Sequence, residues 1–238
     1  MDTLPLTTQI INYLNYYIEN EIDLKIYARM NKLPIYGEND SKDKGWRGNI
    51  IEHMLNIKKN NNAHSDYEGL EIKTVPVLYS QKKVKETTCL AVIDPKEILT
   101  KEFEKSSLYK KIKNTLFILI DVENNKNIIV KTFLCNFDKF PEIKDKMIND
   151  YNQLANHITD NLYYDYSLSK NFTGKIGEVI QPRPKVGKKG TYTWAFYLKS
   201  KYMNQLLFPI HSLDVLPVLK RRGFLVRAFY VQKGWSLL

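Results

Sequence analysis

Cysteine is nearly absent. Cys89 and Cys135 are the only two in 238 residues, with no CxxC spacing to nucleate a zinc site or a disulfide framework. Both sit in apolar stretches and are expected as buried thiols of a reducing compartment. Histidine is scarce too: His53, His64, His157 and His211 share no ligand spacing such as HExxH. GxSxG, P-loop and GxGxxG segments are missing, so serine-elbow hydrolases, P-loop nucleotide enzymes and dinucleotide-binding enzymes lose support. No apolar run approaches the roughly 20 residues that cross a bilayer. The opening residues, MDTLPLTTQI, lack a basic segment followed by an apolar one. The expectation is a cytoplasmic protein with no membrane partner.

Positive charge is what the sequence has in excess. Lys and Arg outnumber Asp and Glu by 36 to 26, a net +10. That surplus favours polyanionic partners, nucleic acid ahead of an acidic membrane surface. The richness in Asn, Lys, Ile and Tyr also fits an AT-rich genome, which discounts part of the lysine excess. A hydrophobic content of 43% suits a folded chain, and the length allows one large domain or two lobes.

Apolar periodicity places the elements. Residues 7–31 show helical spacing, and 46–57 form an amphipathic helix whose stripe of Trp46, Ile50, Met54 and Ile57 leaves Glu52 outside. Polar loops cover 37–45 and 58–66. Strands are expected at 70–77, 88–93, 116–122 and 128–134, the third being a continuous apolar run of the central-strand kind. A long helix at 141–164, shorter strands, a helix near 200–208 and a strand-like stretch at 223–231 follow. Helices alternating with strands predict an α/β or α+β fold with a mixed sheet flanked by helices. The Lys- and Gly-rich 185–191 segment reads as a binding loop.

The segment SDYEGLEIKTVPV (65–77) carries the chemistry. Glu71 and Lys73 are two apart on a strand and leave the same face, while Leu70 and Ile72 point to the core. Asp66 precedes the strand, where a loop can bring its carboxylate beside Glu71. Two hard oxygen donors and an ammonium then share one small region. Magnesium is held by one or two carboxylates plus waters and phosphate oxygens. It can lower the pKa of a water and stabilise charge building on a scissile phosphate. A nearby lysine can position that water or neutralise the transition state. By itself, Glu-x-Lys on a strand is also a common exposed ion pair worth little.

The surroundings of this segment resemble the MutH family of DNA endonucleases. That family includes a strand-nicking enzyme of methyl-directed mismatch repair and restriction enzymes that cleave GATC. Six blocks carry the likeness in family order: DKGWRGNIIE (43–52), DYEGLEIKTVPV (66–77), KETT (85–88), LYKKIKNTLFILID (108–121), IQPRPK (180–185) and AFYLKSKY (195–202). The resemblance covers about residues 43–207, and a C-terminal extension, 208–238, follows. The resemblance implies one endonuclease domain over 1–238, with a restriction-endonuclease-like core and two lobes around a DNA cleft.

Carried over residue by residue, the resemblance implies that Glu52, Asp66 and Glu71 hold Mg2+. It makes Lys73 the catalytic lysine and Lys111 a second lysine of the active site. Lys111 lies beside Lys110 and Lys113, and the trio also reads as a phosphate-contacting face. Lys44, Arg183, Lys185, Tyr197 and Lys199 fall on the DNA-binding side, with Tyr197 matching an aromatic that senses adenine methylation. Arg183 has the geometry for a bidentate contact with guanine, though arginines also contact phosphates. Tyr197 also reads as a core residue, and Glu86 as structural.

Two departures separate this chain from the family's repair enzyme. The Asp66–Glu71 gap is two residues shorter, and the C-terminal tail, with Lys220, Arg221 and Arg222, is extra. These lean the reading toward a type II restriction enzyme cutting double-stranded DNA. The alternative is a repair endonuclease nicking hemimethylated DNA when called by a mismatch-repair partner. A catalytically silent DNA-binding protein on the same fold is the remote third reading.

Overall fold

The computed structural model describes residues 6–38, 43, 45–57, 65–67, 69–161, 176–186 and 192–209. The helical pattern expected over 7–31 is two helices. Helix α1 (Leu6–Glu19) buries Ile10, Ile11, Leu14 and Tyr17, and α2 (Leu24–Met30) buries Leu24 and Ala28. Between them Glu21 takes a left-handed φ of 46°. The Asp23 carboxylate then accepts from the Lys25 amide at 2.7 Å, satisfying a free donor of the new helix. Helix α3 (Trp46–Met54) begins where expected and stops early, with Asn56 at φ 53°.

The strands β1 (Glu71–Leu78), β2 (Lys83–Val84) and β3 (Thr88–Val92) follow. Two short helices, α4 (Pro95–Thr100) and α5 (Ser107–Ile112), were not anticipated. Each is too short for a periodic signal and is set by its cap: Asp94 accepts from the Lys96 amide, Ser106 from the Tyr109 amide. Next come β4 (Asn114–Asp121), β5 (Ile128–Asn136), α6 (Pro141–Asn161), β6 (Ile180–Val186), β7 (Tyr192–Leu198) and α7 (Ser200–Leu207).

One sheet runs β2-β1-β4-β5, with β1 and β4 parallel and the other pairs antiparallel. Strand β4 is central and buried from Thr115 to Asp121, which is why its sequence is a continuous apolar run. A second, antiparallel sheet runs β3-β7-β6. The expected α/β class, a mixed sheet flanked by helices, is the class the chain adopts.

The two sheets share a hydrophobic cluster. Val75, Phe117 and Phe133 of the first pack with Leu90, Phe196 and Leu198 of the second, closed by α6 and α7. A smaller cluster on the other face of the first sheet holds α1, α2 and α3 against Ile72, Leu116 and Ile118. This shared core joins the two sheets. Cys135 is buried, whereas Cys89 is only half-buried; both are free thiols. Among the described residues no helix is long and apolar enough to cross a membrane. The stretch 223–231, the basic trio 220–222 and His64 lie outside the described residues.

Candidate active site

Alternation along β1 sets the site. Leu70 and Ile72 are buried in the smaller cluster, and Val75 and Val77 enter the larger one. Glu71 and Lys73 share a face with those valines, at the strand's beginning. Glu71 is 1% exposed. Its Oε1 accepts a hydrogen bond from the Lys73 ammonium and also faces the Lys111 ammonium at 3.5 Å. Its Oε2 is buried and has no hydrogen-bond partner among the described residues.

Lys111 reaches this point from the last turn of α5, just ahead of β4, whose Thr115 lies opposite Glu71 in the parallel register. Of the three neighbouring lysines it is the one turned to the carboxylates. Lys113 instead pairs with Asp138 at 3.0 Å, and Lys110 is exposed. A second cluster holds α5 in place. The Asp138 carboxylate accepts from the Tyr109 hydroxyl and from Lys144 at 2.8 Å. Those contacts hold the Asp138 carboxyl well below the usual aspartate range.

Asp66 reaches Glu71 through a tight loop. Gly69 takes a φ of 72°, which Gly adopts without strain, and Tyr67 and Leu70 exchange backbone bonds at 3.0 and 3.1 Å. The Tyr67 hydroxyl donates to the Leu55 carbonyl at 2.7 Å. Asp66 Oδ2 thereby accepts from the Ile72 amide at 2.8 Å. This is how the chain bridges the short interval between Asp66 and Glu71.

Burial, first, pushes the Glu71 carboxyl up; Lys73 and Lys111 oppose that, and the nearby Asp66 charge adds to it. A buried oxygen without a partner, beside a second carboxylate, is an arrangement that a divalent cation would satisfy. The residues present therefore fit a metal bound between Asp66 and Glu71.

Glu52 does not join them in a three-residue group. Among the described residues no set of three His, Cys, Asp or Glu side chains converges to hold an ion. Helix α3 packs on the opposite face of β1 from Glu71, through Ile50, Ile51 and Met54 against Ile72. Gly48 lies over Thr74 there, and Glu52 is half-buried.

The expected DNA-binding residues are distributed unevenly. Arg183 and Lys185 are exposed on β6. The Arg183 guanidinium donates to Thr87 Oγ1 at 2.9 Å and lies 5.9 Å from the centre of the Tyr197 ring. Tyr197, on β7, is half-buried between Cys89 and Gln181 in the strand register. Burial, followed by the Cys89 thiol, pushes its hydroxyl up to about 12. Lys199 is turned inward, its ammonium donating to the Gly177 carbonyl at 2.6 Å. Lys44 and most of the 185–191 loop lie outside the described residues. The sequence reading missed Asp138, Asp150 and Gly177; only a glycine just ahead of the IQPRPK block hinted at the last.

The family described as "DNA mismatch repair enzyme MutH" matches residues 55–147, a span containing Asp66, Glu71, Lys73 and Lys111. Among relatives, the DNA mismatch repair protein MutH of Vibrio cholerae is 27% identical over 187 residues, covering 70% of this chain and 80% of the relative. The protein of the same name from Pasteurella multocida is 27% identical over 188 residues, with the same coverage. That of Shewanella woodyi is 28% identical over 191 residues, 71% of this chain and 78% of its own. The matched span includes β1, α5 and β4, the elements that bring the two lysines onto the Glu71 carboxylate, and over that span the chain is similar to the MutH family of DNA mismatch repair enzymes.

Proposed function

We propose that this protein is a mismatch-repair endonuclease that hydrolyses one strand of double-stranded DNA at a short site such as GATC, using magnesium. The observation that carries the hydrolytic centre is Glu71, a buried carboxylate with two lysines on one oxygen and, among the described residues, none on the other. The repair role rests on the relatives, which are named as mismatch repair proteins. They favour repair over the restriction enzyme expected from the altered spacing and the extra tail. A mismatch-repair partner protein that triggers the cut belongs to this reading.

Asp66 and Glu71 are the proposed metal ligands, with Glu52 as an outlying third carboxylate. A bound magnesium ion would lower the pKa of a water and offset charge building on the phosphate. Lys73, held by Glu71 at the strand's start, orients the attacking water and neutralises the phosphorane-like transition state. Lys111 contributes a second positive charge at the same phosphate. Arg183 and Lys185 contact the DNA from β6, Lys44 reaches a phosphate, and Tyr197 reads the adenine.

Incubation with supercoiled plasmid and magnesium tests this. Nicked circles from unmethylated or hemimethylated DNA, with adenine-methylated plasmid spared, are expected. Linear products from unmethylated plasmid without any partner would instead favour the restriction enzyme. No cleavage with any divalent metal sinks both.

A further inference from the structure

We propose that Asp150 and Lys199 are positioning residues that fix the register of β6, and through it the placement of Arg183 and Lys185 on DNA. This rests on the reading of β6 as the DNA-facing strand.

Among the described residues, strand β6 is at the edge of its sheet, paired only with β7. A slip of one residue would turn Arg183 from the exposed face to the other face, because side chains alternate. An edge strand has one neighbour to prevent that. The start of β6 has a second hold. Asp150, in the middle of α6, is 2% exposed. Its Oδ1 accepts from the Glu178 amide at 2.6 Å, and its Oδ2 accepts from the amides of Val179 and Ile180 at 2.7 and 2.8 Å. Three successive N–H groups converging on one carboxylate offset its buried charge.

Lys199 closes the turn from the other side. Its ammonium donates to the Gly177 carbonyl at 2.6 Å, and its amide donates to the Val179 carbonyl at 2.9 Å. Lys199 directly follows Leu198, the β7 residue opposite Ile180. Gly177 makes the clamp possible. It takes a φ of 82°, and a Cβ there would sit 1.8 Å from the Ile180 carbonyl oxygen and 3.2 Å from Asp150 Cγ. Arg183 lies three residues beyond Ile180, about 10 Å along the strand. A loosened turn therefore shifts the reading side chains without touching Asp66, Glu71 or Lys73.

The test is steady-state cleavage of a duplex containing the target site by the full chain, with binding measured in calcium. Asp150→Asn is expected to raise KM and Kd at least tenfold and leave kcat within twofold. Leu14→Ala, which loosens the other hydrophobic cluster, controls for general destabilisation and is expected to leave KM unchanged. In an Arg183→Ala background, Asp150→Asn is expected to add less than twofold, since its effect passes through that strand. Lys199→Met is expected to raise KM several-fold with the slope of log Kd against log salt unchanged.

The clamp is overturned if Asp150→Asn raises KM no more than Leu14→Ala, or multiplies in full with Arg183→Ala. It is overturned for Lys199 if the salt slope drops by about one, the mark of a direct phosphate contact. Should Asp150→Asn fold poorly, Lys199→Met carries the test alone. A wild-type chain that binds the duplex but never cuts sinks the endonuclease reading, while the Kd series still judges the clamp. A wild-type chain that binds no DNA overturns both.

Discussion

At the scale of single residues, Glu71 governs the site. One of its oxygens meets Lys73 and Lys111, and the other is buried with no partner among the described residues. On the proposed reading, removing the Lys73 ammonium takes away charge that matters most in the transition state. Lys73→Ala is expected to lower kcat by roughly 10²–10³-fold with little change in KM, measured by plasmid nicking. Metal binding can be read without turnover. At a hundredfold excess over its Kd, magnesium should stabilise the wild type by about 2.7 kcal/mol, seen as a rise in melting temperature. Glu71→Gln and Asp66→Ala are expected to abolish that rise; if either keeps it, the ion binds elsewhere.

At the scale of elements, α5 is held by chemistry remote from the site. Asp138 joins Tyr109, Lys113 and Lys144, and so fixes the short helix that presents Lys111. Its carboxyl is depressed, mainly by Lys144 and then Tyr109, from the ordinary 3.8. A depressed carboxyl stabilises the fold above the unfolded pKa and loses that contribution as pH falls through the folded one. Asp138→Asn should therefore melt below the wild type at pH 7. The gap should begin to close only below about pH 4, where the unfolded carboxyl protonates. A gap already closed at pH 5 would contradict the assigned role.

The same elements show what was legible in the sequence. Strand β1 and the shared face of Glu71 and Lys73 followed from alternation, and β4 from its apolar run. Helix α5 is only six residues long, too short to leave a periodic trace, so Lys111 could not be separated from its neighbours by pattern. Its approach to Glu71 is a tertiary event. The break between α1 and α2 was hidden because apolar spacing continues across it while Glu21 turns left-handed. Asp150 was invisible for a related reason. It looks like any polar residue of an amphipathic helix until its three backbone partners, about 30 positions later, fold onto it.

At the scale of the whole molecule, the proposed function assigns the net charge of +10 to DNA binding rather than to the fold. Affinity for a non-cognate duplex is expected to fall at least about tenfold between 50 and 200 mM salt, as bound counterions are released. A flat salt response in a fluorescence-anisotropy titration would argue that the lysine surplus reflects composition alone.

The parallel pairing of β1 with β4 has a consequence for how a cell makes this protein. Glu71 meets Thr115 across that ladder, and Lys111 arrives only with the helix leading into β4. Parallel strands cannot close through a hairpin and need a long crossover. A nascent chain that has released Asp66, Glu71 and Lys73 from the ribosome therefore still lacks the strand beside them. On the proposed reading, the cutting centre comes into being only after about 40 further residues have emerged and paired, which would make a half-made nuclease a harmless one.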